Sequence, residues 1–289
     1  MANRSLRLST NAAGEFFVDS TCIDCDQCRE LAPQVFGDGP GQASVVRQPE
    51  DAAARHAALR ALVTCPVGAI GTESRQELGL VAAEFPARLA GDVYFCGFAS
   101  RDSYGASSYL IVRNEGNVLV DSPRFASRLV RRIEQLGGVR WMFLSHIDDI
   151  ADHALFHRHF GCERIIHERE TPASSEMEWT LAGEAPLPLG PGLLAIPTPG
   201  HTRGHTVLLY QDQFLFTGDH LWWSPARQQL AASRAYCWYS WPKQVESVER
   251  LLAHRFEWVL PGHGHRRHLP VAQMRQSLRH CLEWMKRQA

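Results

Sequence analysis

The sequence predicts a mixed α/β protein in two parts: a small α+β unit over residues 1–75 and a larger α/β domain over residues 80–289. Three observations point there. Four of the eight cysteines (Cys22, Cys25, Cys28, Cys65) fall in the first quarter of the chain, whereas thirteen of the fourteen histidines lie at or after His146. From about residue 80 short strand-like runs begin to alternate with helical stretches, the pattern of a layered α/β domain. The segment before that point is too small to stabilise itself on its own apolar core and calls for an added staple.

In the small unit, residues 14–20 read as a strand leading into the cysteines, 29–36 as a helical turn and 37–41 (Gly-Asp-Gly-Pro-Gly) as a tight loop before a second strand at 42–47. Pro49-Glu50-Asp51 opens an Ala-rich helix reaching about Val63, with acidic residues placed to favour its first turn. Cys65-Pro66 ends that helix, and a last strand end follows at 67–71. The boundary is expected within 71–77. In the larger part, strands are expected at 109–113, 118–121, 141–145, 164–167, 193–198, 206–210 and 214–217. Helices are expected at 125–136, 152–160, 242–254 and 271–287, the last from the helical spacing of Met274, Leu278, Leu282 and Met285.

The composition is that of an ordinary globular chain, 45% hydrophobic and 21% charged, with a net charge of −1. Nothing in that balance points to nucleic acid or to an anionic membrane surface, and no apolar run is long enough to span a bilayer. Residues 1–10 lack the apolar core of a secretory signal, so a cytoplasmic, reducing compartment is expected. In such a compartment clustered cysteines read as metal ligands or redox groups rather than disulfides.

Cys22-Ile-Asp-Cys25-Asp-Gln-Cys28 followed by Cys65-Pro66 has the spacing of an all-cysteine [4Fe–4S] site: three thiolates close together and a fourth from a distant segment. The alternative is a structural zinc site, although such sites usually pair two C-x2-C knuckles. Residues 14–71 resemble single-cluster bacterial-type ferredoxins, which implies a ferredoxin-like fold and one-electron chemistry.

Four segments of the larger part place metal-ligand residues where a strand ends. They are Phe143-Leu-Ser-His146-Ile-Asp148-Asp149-Ile-Ala-Asp152-His153, Thr198-Pro-Gly-His201-Thr-Arg-Gly-His205, Phe216-Thr-Gly-Asp219-His220 and Leu260-Pro-Gly-His263-Gly-His265. A ligand after a strand and a Gly or Pro turn is held rigidly, as an open catalytic metal site requires. Taken together, residues 90–265 resemble the metallo-β-lactamase superfamily. The resemblance implies a four-layer αβ/βα sandwich with one or two divalent metal ions, zinc or iron or else manganese, at one edge. Carried over by position, it implies His146 and His201 on one metal, Asp152, His153 and His263 on the other, and Asp219 bridging. Asp152 and Asp219 are the implied catalytic carboxylates.

The first segment departs from the family pattern His-x-His-x-Asp-His. Asp148 stands where the second His is usual, and two extra residues precede Asp152-His153. Either the loop bulges to keep Asp152 and His153 in place, or one subsite is altered. Asp148 as a ligand makes a harder donor set and shifts preference toward iron or manganese; flavodiiron proteins, relatives on this fold, also carry a carboxylate there. Asp149 is read as a solvated loop carboxylate, His205 as a residue that orients a ligand or the turn, and His220 and His265 either as site-lining or as exposed loop residues.

Trp222-Trp223 and Tyr236-Cys237-Trp238-Tyr239-Ser-Trp241 either wall an apolar substrate pocket or pack beneath helix 242–254 or dock the ferredoxin module. Arg227 and Arg234 are candidates to bind an anionic substrate or are solvated. Cys96, Cys162, Cys237 and Cys281 read as inert, with Cys237 alone worth testing for reactivity.

Three functions follow. The first is a metal-dependent hydrolase of a small-molecule ester, thioester or related bond, with metal-bound hydroxide as nucleophile. The second is an oxidoreductase in which the cluster passes electrons to a non-haem iron site, with an electron donor or acceptor protein as partner. The third is a degenerate-site redox sensor or scaffold. The family base rate puts the hydrolase first, and fold membership alone does not fix the reaction.

Overall fold

A computed structural model describes residues 2–173 and 176–288. The chain packs as two compact units, one made of Met1–Arg140 and Ala151–Gly161, the other of Trp141–Ile150 and Cys162–Ala289.

The first unit opens with β1 (Phe16–Val18), α1 (Gln27–Leu31), the hairpin β2 (Phe36–Asp38) and β3 (Ala43–Val45), α2 (Ala52–Thr64) and β4 (Ile70–Thr72). β1 and β4 pair antiparallel with Val18 opposite Ile70, so the two ends of this stretch meet. Asp51 caps α2 by accepting the Ala54 N–H at 2.7 Å; the acidic residues expected in the first turn stand just before it, where Asp51 acts as the cap. Of the 37–41 stretch expected as a loop, Gly37 and Asp38 belong to β2, and the hairpin turn runs over 39–42, closed by the Gly39 N–H on the Gln42 carbonyl at 2.9 Å. The apolar core is small: Phe16, Val18, Val35, Phe36, Val45, Ala58, Ala61 and Ile70 are buried, and Cys22 and Cys65 pack against them.

The unit continues with α3 (Gly79–Ala83), the antiparallel run β5 (Ala87–Ala90), β6 (Val93–Phe95), β7 (Tyr109–Ile111) and β8 (Val118–Val120), α4 (Ser127–Gln135) and α5 (His153–Phe160). The expected boundary at 71–77 thus precedes α3, inside the first unit. α4 buries Leu129, Val130 and Ile133, one helical stripe. α5 ends on Gly161 at φ +65°, whose N–H bonds the His157 carbonyl, a left-handed cap that favours glycine.

The second unit holds a parallel trio, β9 (Trp141–Phe143), β10 (Glu163–His167) and β11 (Trp179–Leu181), with β10 central. A second sheet follows with β12 (Leu187–Gly190), β13 (Leu193–Pro197), β14 (Thr206–Tyr210), β15 (Phe214–Gly218), β18 (Trp258–Pro261) and β19 (Arg267–His268) in that spatial order. The short hairpin β16 (Trp222–Ser224) and β17 (Gln229–Ala231) and the helix α6 (Trp241–Leu251) lie between β15 and β18 in sequence, and α7 (Val271–Arg287) ends the chain. All neighbours in the second sheet are antiparallel except β15 and β18. That parallel pair has both C-terminal ends on the same side, which the site exploits.

β14 and β15 are buried along their whole length, as strands covered on both faces must be. Ile196, Val207, Leu209, Leu215 and Val259 of this sheet pack with Val245, Val248 and Leu251 of α6 and with Met274, Leu278, Leu282 and Met285 of α7. Each such side chain contributes roughly 1.5–3 kcal/mol when fully buried. Ser240 caps α6 and Pro242 sits in its first turn, where a missing N–H costs nothing. No helix among the described residues is long and apolar enough to cross a membrane.

Candidate metal centre

Two sites emerge, one in each unit. In the first unit Cys22, Cys25, Cys28 and Cys65 line a single cavity with Val18, Ala43, Val67 and Ile70. The Cys-x-x-Cys turns run through Asp24 (φ +59°) and Asp26 (φ +69°), a left-handed conformation that Asp tolerates better than most residues. Cys65 caps the end of α2, and Gly68, also left-handed at φ +66°, turns the chain behind it. Backbone N–H groups of Asp24 and Ala69 reach the sulfurs of Cys22 and Cys65 at 3.4 and 3.3 Å.

Burial, and then the neighbouring thiols, push Cys25 up to about 12 and Cys28 well above the ordinary thiol range. Thiols so crowded become thiolates only when a positive centre compensates them, which is the chemistry of an iron–sulfur ligand set.

Gly105 packs directly against Cys25. A Cβ there would fall 2.6 Å from Cys25 Cβ and 2.9 Å from its sulfur, and φ is +86°, so glycine is required. The buried Gln27 donates through Nε2 to the Gly105 carbonyl (3.0 Å) and to Ser107 Oγ (2.7 Å).

In the second unit, ligands converge from the ends of β9, β13, β15 and β18. His146 follows β9, with Nδ1 held against Ser145 Oγ at 2.9 Å, so its Nε2 points outward from the strand end. Asp148 and Asp149 occupy the 3-10 turn that follows. After β13, Thr198-Pro-Gly200 carries the chain to His201. Gly200 has φ +156°, and a Cβ there would fall 2.4 Å from the backbone of Gln244. β15 ends in Gly218-Asp219, and β18 leads to Gly262-His263; the Gly262 N–H donates to the Gly218 carbonyl at 2.8 Å, tying these two ligand turns together.

The result is a cluster with one carboxylate oxygen at its centre. Asp219 Oδ2 lies 3.7 Å from His146 Nε2, 3.7 Å from His201 Nε2 and 3.9 Å from His263 Nε2. Asp148 Oδ2 lies 3.8 Å from His146 Nε2 and 3.7 Å from His201 Nε2. These separations are too long for hydrogen bonds and suit donors arranged around a shared cation. Among the described residues, the buried Nε2 atoms of His146 and His201 have no hydrogen-bond partner. Buried ring nitrogens are rarely left so without a ligand to meet.

Burial lowers the pKa of His146 against the opposing pull of Asp219. Burial also opposes a charge on His201, but Asp148 and then Asp219 outweigh it and raise the value. The His201 imidazole in turn lowers Asp148.

Supporting residues hold these ligands in place. His205 is fully buried; Thr198 Oγ1 sits 3.0 Å from its Nδ1, and its Nε2 accepts the Asp219 N–H at 3.3 Å. It is therefore a neutral Nδ1–H imidazole, and burial drives its pKa well below the ordinary histidine value. His220 stacks on it with ring centroids 5.3 Å apart, and burial pushes its pKa down to about 3.

Glu170 is the residue that sequence reasoning missed. Almost wholly buried, it accepts the Ile147 N–H at 3.1 Å and the Gly204 N–H, joining the turn after His146 to the loop after His201. A Cβ on Gly204 would meet His167 Nδ1 at 2.7 Å and Glu170 Cγ at 2.9 Å, which accounts for the glycine of Thr-x-Gly-His.

Of the remaining sequence-singled residues, Asp152 Oδ2 accepts the Phe125 N–H at 2.6 Å, and His153 is buried in the first turn of α5. Asp149 and His220 are buried rather than exposed in solvated loops; their turns fold inward against Gly262 and α6, which a local reading does not show. The aromatics divide. Trp223 and Trp241 belong to the core under α6 and α7, whereas Tyr236, Trp238 and Tyr239 are exposed beside His201, whose carbonyl accepts the Trp238 and Tyr239 N–H groups. Arg227 stacks on Trp284 and Arg234 donates to the Gln288 carbonyl, so each has a structural partner. Cys237 donates to the Gly200 carbonyl at 3.1 Å, and burial raises its pKa. Cys96 and Cys281 are pushed up to about 12 by burial, as inert core thiols are.

Comparison with known proteins bears on the family and the fold. Residues 101–263 match the family "Metallo-beta-lactamase superfamily", and residues 18–72 match "4Fe-4S single cluster domain of Ferredoxin I". The chain belongs to the metallo-β-lactamase superfamily, whose members are generally hydrolytic, and carries a ferredoxin-like [4Fe–4S] domain in front. The fold is that of solved metallo-β-lactamases. The DIM-1 metallo-β-lactamase is 15% identical with a TM-score of 0.54, covering 70% of this chain and 96% of its own. The metallo-β-lactamase from Pontibacter korlensis is 17% identical with a TM-score of 0.53, covering 69% and 97%. An archaeal superfamily protein from Sulfolobus tokodaii is 16% identical with a TM-score of 0.50, covering 68% and 87%. No curated protein matches the chain. The family implies divalent metal ions in the second unit, and the ferredoxin match implies a [4Fe–4S] cluster in the first.

Proposed function

We propose that this protein is a metal-dependent hydrolase of a small-molecule ester, thioester or related bond, with its metal centre at His146, Asp148, His201, Asp219 and His263. The observation that carries the reading is the single Asp219 oxygen facing three imidazole Nε2 atoms at 3.7–3.9 Å. Two of those nitrogens are buried and lack hydrogen-bond partners among the described residues. A divalent metal in such a site polarises the scissile carbonyl and makes water nucleophilic near neutral pH. The chain's own contribution is rigidity. Ser145 sets the His146 ring, His205 fixes the backbone of Asp219, and Glu170 locks two ligand loops together, so the donors are placed before any ligand arrives. Tyr236, Trp238 and Tyr239, exposed beside His201, offer an apolar rim for the acyl or leaving group.

The test is anaerobic purification with metal analysis and turnover of a panel of p-nitrophenyl esters and acyl thioesters. Asp219→Ala is expected to lose both the metal and the turnover while keeping the cluster's visible absorption. Full turnover in that variant would overturn the assignment.

A second reading, an oxidoreductase served by the cluster, draws on a specific contact. Gly105 and Ser107, inside the stretch that matches the superfamily, are fastened to the cluster loop through Gln27 and back directly onto Cys25. Substrate-linked reoxidation of a dithionite-reduced cluster, lost in Cys28→Ala together with turnover, would favour it over hydrolysis.

A further inference from the structure

We propose that Asp149 is a metal ligand, forming with Asp219 a second cation subsite beside the one built on Asp148. The inference rests on the metal centre proposed above and adds a residue that the family motif does not assign. The family pattern would place this duty on Asp152, but Asp152 Oδ2 is engaged by the Phe125 N–H at 2.6 Å.

The geometry favours Asp149 on four counts. Its carboxylate is almost wholly buried, at 1% exposure, in the turn that directly follows His146. Its ligand oxygen, one from Asp219 and a ring nitrogen of His146 all lie within 4.8 Å of one another. Asp219 turns its two oxygens to different neighbours. Oδ2 faces the three imidazoles, while Oδ1 is buried and has no hydrogen-bond partner among the described residues. Finally, Gly262 leaves room where the two carboxylates meet. The position of a Cβ there falls 2.7 Å from Asp149 Oδ2 and 2.8 Å from Asp219 Oδ1.

The consecutive carboxylates of one 3-10 turn therefore face two neighbouring places beside His146: Asp148 lies with His146 and His201, and Asp149 lies with Asp219, His146 giving its one free nitrogen to the first ion. Two anionic oxygens brought this close in a buried place repel each other, and a cation between them turns that repulsion into attraction. A subsite whose protein donors are two carboxylates is a hard donor set that suits Mn2+ or Fe2+ better than Zn2+. The two extra residues before Asp152 then read as a remodelled motif in which Asp149 has taken over the carboxylate position.

The test is equilibrium dialysis of the full-length, cluster-containing chain against Mn2+, with metal analysis and electron paramagnetic resonance. The wild type is expected to bind two Mn2+ and to show the spectrum of an exchange-coupled pair. Asp149→Asn is expected to bind one and give an uncoupled spectrum, and Asp152→Asn to bind two. Gly262→Ala, which thrusts a methyl group between the carboxylates, should also lose the second ion. One Mn2+ in the wild type, or two coupled ions in Asp149→Asn, overturns the proposal, as does loss of the second ion in Asp152→Asn but not in Asp149→Asn. His201→Ala separates this inference from the reading beneath it. If His201→Ala binds Mn2+ like the wild type, the metal centre itself is misplaced; if it loses Mn2+ while Asp149→Asn does not, only the role of Asp149 falls.

Discussion

Replacing Glu170 by Gln removes a charge that touches no proposed metal ligand, yet it is expected to loosen the metal centre. The carboxylate accepts two backbone N–H groups, from Ile147 and Gly204, each in a loop that carries a ligand histidine. A glutamine keeps one acceptor oxygen and turns its amide N–H2 toward the other donor, leaving one buried N–H unpaired. That costs about 1–3 kcal/mol. At about 2–4 °C per kcal/mol for a domain of this size, the melting temperature should fall by roughly 2–12 °C. Metal affinity should drop by about 10–100-fold, the usual scale for a group that orients ligands from behind. Differential scanning calorimetry and competitive metal titration measure both. A variant that melts within about a degree of the wild type and binds metal equally well would refute the idea that Glu170 couples the two loops.

Gly204→Ala should have a similar effect by a steric route, because the methyl group meets His167 and Glu170 at 2.7–2.9 Å; a Mn2+ affinity equal to that of the wild type would contradict it. Cys28→Ala should bleach the cluster absorption while leaving metal binding in the second unit intact, since the two ligand sets share no residue. Gly105→Val should destabilise the cluster against oxygen by forcing side-chain atoms onto Cys25, seen as faster loss of absorbance in air; an unchanged bleaching rate would show that this contact does not shield the cluster. Met274→Ala and Leu278→Ala, each buried to 1% exposure, should cost about 2–5 kcal/mol in denaturant unfolding of the second unit.

The parts of the fold legible in the sequence are those in which a local pattern coincides with a tertiary need. Met274, Leu278, Leu282 and Met285 recur at helical spacing because α7 buries that one stripe against the sheet. The apolar runs at 193–198, 206–210 and 214–217 became β13, β14 and β15 because both sheet faces are covered there. The strands β5, β6, β11 and β12 are only three or four residues long and half exposed in places, too short to set up a period of two.

The same distinction holds at the metal centre. Histidines and aspartates set after strand–glycine turns carried a visible signal. Glu170 did not: in Glu168-Arg169-Glu170 it reads as one of several solvated charges, and only the long-range return of Gly204 buries it. Asp149, next to the motif position held by Asp148, likewise reads by sequence as a solvated loop carboxylate. What separates them is Gly262, which arrives from β18 and packs against Asp149 alone of the two.

The account turns on four strand ends holding a cation between imidazoles and carboxylates. Crystals of the anaerobically purified protein, soaked in Mn2+ and measured at wavelengths on either side of the manganese edge, test this directly. An anomalous difference peak enclosed by His146 Nε2, His201 Nε2 and Asp219 is the predicted result. Strong manganese peaks elsewhere on the chain, with that position empty, would contradict it.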